Sequence, residues 1–310
     1  MNELKLKSSA KINLFFELLN KRKDGYFQIE TILQEIDLHD DIFIKNKEGG
    51  EINIEVSPSL NIPKEENIAY QAAKLIQKKA KKNNSGIEIF IEKRIPVGRG
   101  LGGGSSNAAT VLKGLNRLWR LNFSLEEMAD LGKELGMDVP FFIYGGTCLG
   151  TGRGEIITPL TDFAGFKILV FWPNFPISTA DIYKNASCCL PVPTLRRSKQ
   201  AGLTKKKRSV KLLLEALKTN DFEGVKRNFF NRLEDVAFKI HPLLYQFKKR
   251  INSLDIRNNI IMSGSGSAFF IILPNKGVDE EYIKKEIIEL KGGCYIGETL
   301  PALLQGKPAA

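Results

Sequence analysis

The chain has 310 residues, 43% of them hydrophobic and 26% charged, with a formal net charge of +11. That balance suits a soluble globular protein of one large or two ordinary domains, and no apolar run approaches the roughly 20 residues a membrane-crossing helix needs. Four cysteines (Cys148, Cys188, Cys189, Cys294) without CxxC spacing, and only two histidines (His39, His241), argue against zinc centres and His-based triads.

In chain order, residues 1–11 are polar and charged with no apolar core, so no secretory leader is expected and a cytoplasmic location is. Alternating apolar positions over residues 4–14, 30–38 and 42–56 predict strands. Residues 67–81 carry Ile68, Ala72, Leu75, Ile76 and Ala80 at helical spacing. Ile87, Ile89 and Ile91 then read as a strand that leads into a glycine-rich stretch, followed by a predicted helix over residues 107–119. Ser124 with Glu127 forms a capping box for a helix that Gly136 ends. Strands return at 166–171 and 260–273, and helices at 210–219 and 282–290. Strands and helices mix without strict alternation, so the expected fold class is α+β. The glycine cluster Gly145, Gly146, Gly150, Gly152 and Gly154 precedes an expected boundary at 155–165, giving domains 1–160 and 161–310.

The glycine-rich stretch is Pro96-Val97-Gly98-Arg99-Gly100-Leu101-Gly102-Gly103-Gly104-Ser105-Ser106, in which five of the seven residues from Gly98 to Gly104 are glycine. Glycine lets backbone N–H groups come close to a ligand, and a helix N-terminus adds unpaired donors and partial positive charge. Loop plus helix therefore predicts a phosphate-binding site. No Gly-Lys-Ser/Thr closes it, so it is not a Walker A loop. Gly98, Gly100 and Gly103 match the dinucleotide fingerprint by letter, yet the acidic residues at the right distance, Glu126 and Glu127, open a new helix instead. Neither His-Arg-Asp nor Asp-Phe-Gly is present, which argues against a protein kinase.

Two ionisable residues are candidates for chemistry on a bound phosphate. Asp138, in Gly136-Met137-Asp138-Val139-Pro140-Phe141-Phe142, follows a helix stop among apolar neighbours, which suits a semi-buried base; a turn residue capping backbone N–H groups is the alternative. Lys11 interrupts the apolar run Ala10-Lys11-Ile12-Asn13-Leu14-Phe15 and could lower a carboxyl pKa or steady transition-state charge; an exposed edge lysine is the alternative. A run of eight basic residues between Arg196 and Lys211, with no acidic or aromatic residue among them, reads as a solvated insertion, and a nucleic-acid partner is not expected.

Read together, four blocks make the chain resemble the GHMP kinases (galactokinase, homoserine kinase, mevalonate kinase and relatives). They are Ala10-Lys11-Ile12-Asn13-Leu14 with Asp24-Gly25-Tyr26; the stretch 96–109; Asp138-Val139-Pro140-Phe141-Phe142; and Met262-Ser263-Gly264-Ser265-Gly266-Ser267. Shorter echoes are Pro176-Ile177-Ser178-Thr179-Ala180 with Tyr183, and Asn231 with Leu233-Glu234. Within the family the blocks are most similar to enzymes that phosphorylate a cytidine-diphosphate-linked polyol of the non-mevalonate isoprenoid route.

The resemblance implies a two-domain α+β fold with the active site between the domains, and an ATP-dependent kinase of a small-molecule alcohol. It implies Lys11 and Asp138 as the catalytic pair, the stretch 96–106 with Asn107 around ATP, and Asn67 and Lys93 on the adenosine side. Asn13, Tyr26, Phe27, Thr179 and Tyr183 fall where the family holds its cytidine diphosphate substrate. Mg²⁺ is implied with ATP; no protein ligand stands out, and Ser106 is the one candidate. A monomer or homodimer is expected. The family usually has His after Asp-Gly-Tyr, where this chain has Phe27; a ring nitrogen is lost there, and an unpaired edge of a buried base costs about 1–3 kcal/mol. A weakened nucleobase preference is the expectation. Another GHMP small-molecule kinase, or a non-catalytic nucleotide or nucleic-acid binding protein, are the alternatives.

Overall fold

The computed structural model describes residues 2–186, 209–254, 260–274 and 277–302. Most of the basic run, and both Cys188 and Cys189, lie outside the described residues.

The first sheet starts with the long strands β1 (Glu3–Lys21) and β2 (Phe27–Ser57), which pair antiparallel. Both outrun the strands expected from alternation. Their outer parts, around Lys21 and Phe27, close over a tight turn, where Arg22 N donates to Tyr26 O at 2.7 Å. After the helix α1 (Ile68–Lys79), strand β3 (Ser85–Glu92) slots between two arms of β2, with Ile89 registering against Ile44 on one side and Ile54 on the other. Strands β4 (Thr147–Thr151) and β5 (Ile156–Pro159) extend the sheet beyond β2.

Three helices cover one face of this sheet: α2 (Gly103–Leu118), α3 (Leu125–Leu135) and α4 (Val139–Tyr144). They pack with α1 on Ile42, Ile44, Ile87 and Ile91, so the alternating isoleucines of the strands become a buried core. The Ser124–Glu127 capping box forms as expected. Helix α2 departs from expectation: it begins at Gly103 rather than at 107, so the glycines themselves build its first turn. Gly102 caps it in the left-handed region (φ 73°), a conformation that side chains resist and local sequence periodicity does not reveal.

The second sheet runs in the order β10 (Gly292–Glu298), β6 (Lys167–Pro173), β9 (Phe269–Ile272), β8 (Ile261–Met262). Its helices are α5 (Thr179–Asn185), α8 (Leu233–Ile240), α9 (Pro242–Asn252) and α10 (Glu280–Glu289), which share a core with Phe171, Phe269 and Ile271. A third core joins the halves: Ile12, Leu14, Phe15 and Ile36 meet Ile168, Val170, Phe270 and the helices α6 (Val210–Lys218) and α7 (Phe222–Arg227). Between α7 and α8 the two-residue strand β7 (Phe230–Asn231) pairs parallel with β1, placing a piece of the second half in the first sheet. The architecture is α+β, with mixed and antiparallel sheets. Among the described residues no helix is long and apolar enough to cross a membrane.

Candidate active site

A cleft of about 950 Å³ is lined by residues of both halves. One wall is the glycine stretch: Pro96 to Ser105, together with Asn107, faces the cleft. The loop is fastened from below, Lys11 N donating to Leu101 O at 3.0 Å, and from the side, Ala268 N donating to Arg99 O at 3.1 Å. Gly100 shows why a side chain is excluded: with φ 78°, a Cβ there would lie 2.3 Å from the Ser263 carbonyl oxygen. The open N-terminal turn of α2 points its free N–H groups at the same space, which makes an anion site.

Beneath the loop lies a buried carboxylate that sequence reasoning missed. Asp40 is fully buried and accepts from Lys93 Nζ (2.5 Å), Asn107 Nδ2 (2.8 Å), Arg94 N (2.7 Å) and Ile95 N (2.8 Å). Four donors offset the cost of burying a charge. The two backbone bonds fix the entry to the glycine stretch; the two side-chain bonds hold Lys93 and Asn107 at its base. Leu38, Asp40 and Ile42 are all buried at period two, so an acidic residue on the inward face of a strand was the available signal. Asn67 caps α1, its Oδ1 accepting from Ala69 N at 2.9 Å, while lining the cleft.

Across the cleft, Lys11 and Asn13 share one face of β1 by strand alternation, whereas Ile12 and Leu14 turn to the core. Lys11 is buried rather than an exposed edge residue. Its Nζ donates to Asn13 Oδ1 (2.6 Å), and Asn13 Nδ2 donates to Thr31 Oγ1 (2.8 Å), which in turn donates to Phe15 O (2.8 Å). The Asp138 carboxylate stands 3.8 Å from Lys11 Nζ, an ion pair longer than a hydrogen bond. Burial pulls the Lys11 pKa below the ordinary lysine value, and the negative charge of Asp138 partly restores it. Asp138 precedes α4 with no side-chain capping bond, so its oxygens are not used up in holding that helix. Its side chain is 39% exposed: held by its neighbours, yet reachable from the cleft.

The far end is aromatic. Thr179 and Tyr183 are four apart on α5 and so face the cleft together. The rings of Phe27 and Tyr183 lie 6.2 Å apart, and Phe27 is buried among Phe16, Leu18 and Ile29 as part of the wall. Burial, and then the charge of Asp138, push the Tyr183 phenol pKa up. Tyr26 is exposed, with the Arg153 guanidinium 5.1 Å above its ring. Arg153 is a lining cation that the motifs did not mark, and it is paired with Glu155 at 3.2 Å.

The structure thus brings all the expected site residues to one cleft except Ser106. That side chain is buried beneath the loop, its Oγ accepting from Ser8 Oγ at 2.7 Å, and it does not line the cleft. The cause is the early start of α2, which rotates position 106 inward.

The chain is similar to known proteins along nearly its whole length. The family described as GHMP kinases N terminal domain matches residues 67–146. The 4-diphosphocytidyl-2-C-methyl-D-erythritol kinase of Shouchella clausii is 37% identical, over 93% of this chain and 91% of its own length. That of Clostridioides difficile is 39% identical, over 96% and 95%. A crystal structure of 4-(cytidine 5'-diphospho)-2C-methyl-D-erythritol kinase superposes with a TM-score of 0.75 at 31% identity, covering 96% of this chain and 99% of that one. Identity at this level along nearly the full chain places it in one group: the chain belongs to the 4-diphosphocytidyl-2-C-methyl-D-erythritol kinases, a branch of the GHMP kinases.

Proposed function

We propose that this chain transfers the γ-phosphoryl group of ATP to the 2-hydroxyl of 4-diphosphocytidyl-2-C-methyl-D-erythritol. The observation that carries this reading is the Lys11–Asp138 pair, set in the same cleft as the glycine loop and an aromatic end that suits a nucleobase. The glycine stretch and the N-terminal turn of α2 hold the ATP phosphates, with Lys93 and Asn67 on the adenosine side. Tyr26, Phe27 and Tyr183 form apolar surfaces for the substrate's base, and Asn13 and Thr179 contact the remainder. We take residues 1–160 and 161–310 as the two lobes that meet at this cleft.

Phosphoryl transfer is mostly positioning and charge stabilisation. The Asp138 carboxylate takes the proton from the attacking hydroxyl, the new O–P bond forms, and the bond to the ADP oxygen breaks. The 3.8 Å separation from Lys11 leaves Asp138 room to accept that proton. Lys11, fixed by Asn13, stabilises negative charge on the transferring group. Among the described residues no cluster of three His, Cys, Asp or Glu forms a metal cage. Mg²⁺, a hard cation that keeps several waters and takes one or two carboxylates plus phosphates, fits such a wall, with Glu66 the carboxylate lining the cleft that the base does not use. When bound it would neutralise phosphate charge.

The test measures ADP release with ATP and 4-diphosphocytidyl-2-C-methyl-D-erythritol, beside homoserine and mevalonate as competing acceptors. Turnover with the first alone is expected. Turnover with another acceptor, or none with well-folded protein, overturns the reading.

A further inference from the structure

The turn 263–267, between β8 and β9, is where three parts of the cleft meet. Ser263 Oγ donates to the Gly100 carbonyl of the phosphate loop at 3.0 Å. The Ser265 and Thr179 hydroxyls share a hydrogen bond of 2.8 Å. Gly264 roofs the catalytic lysine: a Cβ built on it would lie 3.1 Å from Lys11 Nζ and 3.3 Å from Asn13 Oδ1. Strand β8 is only two residues long, so its ladder alone is a weak anchor for that roof.

Asn231 supplies the anchor. Its side chain is buried, and Nδ2 donates to Met262 O (2.6 Å) and to Gly264 O (2.8 Å). Its Oδ1 accepts from Leu233 N (2.9 Å) at the start of α8. Both N–H donors are used, and the reversed amide would set an oxygen against two carbonyls, so one orientation is fixed. Its backbone registers with Phe16 of β1, and Arg232 N donates to Phe16 O at 2.8 Å. The side chain therefore ties the roof to the strand that carries Lys11.

We propose that Asn231 is a positioning residue for phosphoryl transfer, holding Gly264 over Lys11 and Asn13 so that the ammonium stays aimed at Asp138. A lysine stem has four rotatable bonds, and a 3.8 Å ion pair to a part-exposed carboxylate leaves its direction loosely set. The Asn13 hydrogen bond and the Gly264 roof restrict it. This inference rests on the kinase reading above.

Asn231→Asp keeps the shape but removes both donors. Since a misplacement of about 1 Å can cost roughly 100-fold, kcat should fall about 10- to 100-fold, with KM for ATP within about 2-fold of the wild type. In a Lys11→Met background the same substitution should cost little more, because both act through one group. An unchanged kcat, a loss carried by KM for ATP, or losses that multiply in the double variant overturn the proposal. Should Asn231→Asp fail to fold, Gly264→Ala presses on the same contact from the other side and must give the same non-multiplying loss in kcat.

A readout independent of turnover is the Lys11 pKa, followed by NMR of ¹⁵N-labelled lysine in Asn231→Ala. A loosened roof admits water, so the value should move up toward the ordinary 10.5; an unmoved value refutes the positioning role. Wild-type turnover in the same series tests the kinase reading separately.

Discussion

Asp138→Asn separates the two roles the carboxylate can play. As charge partner of Lys11 at 3.8 Å, it contributes about 1 kcal/mol in a water-like medium and about 4 kcal/mol at an effective dielectric near 20. Because its side chain is 39% exposed, solvent screening sets the value at the lower end, about 1–2 kcal/mol. As general base it is worth about 10²- to 10⁴-fold in rate, or roughly 3–5.5 kcal/mol of barrier. The second term wins, so kcat should fall by at least about 100-fold while folding weakens only slightly, by about 1.5–3 °C in Tm for a chain of this size. Coupled measurement of ADP release against calorimetry on the same samples reads both. Activity within about 5-fold of the wild type would refute Asp138 as the base. A fall in kcat matched by unfolding would reduce it to a structural ion pair. Combining Asp138→Asn with Lys11→Met adds a further check, since residues that act as one unit lose far less than the product of their separate effects.

Three further outcomes follow from the same geometry. Burial holds the Lys11 pKa below 10.5, so a rate that needs its ammonium should fall on the alkaline side at a pH below the ordinary lysine value; the sign for stability is opposite, the cost of the buried charge being present below the folded pKa and relieved as pH rises through it. A pH profile of kcat, with thermal unfolding across the same range, checks both signs. Phe27→His offers a ring nitrogen to the base edge and should raise the preference for cytidine over uridine diphosphate substrates by about 5- to 150-fold, corresponding to about 1–3 kcal/mol; competition between the two substrates measures it, and strong discrimination already present in the wild type would refute the argument from Phe27. Gly100→Ala forces a Cβ to within 2.3 Å of the Ser263 carbonyl at φ 78°, so ATP affinity should drop about 10-fold or more and Tm should fall; calorimetric titration with a nucleotide analogue reads the first.

Much of this site was legible because its chemistry is local in sequence. The stretch 96–106 stands out through its glycine density and the helix that follows it, and the capping box Ser124–Glu127 forms as written. The run 10–15 marked Lys11 as a charge among apolar neighbours, and strand period two explains why the structure sets it beside Asn13 on one face. What alternation could not say was which face is buried. Lys11 reads as an exposed edge residue until β2, the loop carbonyl of Leu101 and Gly264 are packed around it. The start of α2 was misplaced for a related reason: glycine-rich sequence carries no hydrophobic period, and the helix begins there because the loop is fixed by Ser263 and Ala268, more than 160 residues away.

The residues that stayed hidden are those whose role is to satisfy other polar groups. Asp40 sits in a strand between Leu38 and Ile42, where its charge looks like an interruption of the pattern. It is tolerated because four donors converge on it, two of them backbone N–H groups at the entry to the glycine stretch. Removing that carboxylate would leave Lys93 buried without its anion, which costs more than the pair itself contributes. Asn231 was visible in the sequence only as an echo of the family with no role attached, and the same logic supplies one: its three hydrogen bonds link β7, α8 and the turn 263–267. Such groups leave little local trace because their partners come from elsewhere in the chain. In this fold they lie one layer behind the Lys11–Asp138 pair and the glycine stretch, and they set the positions of both around the cleft.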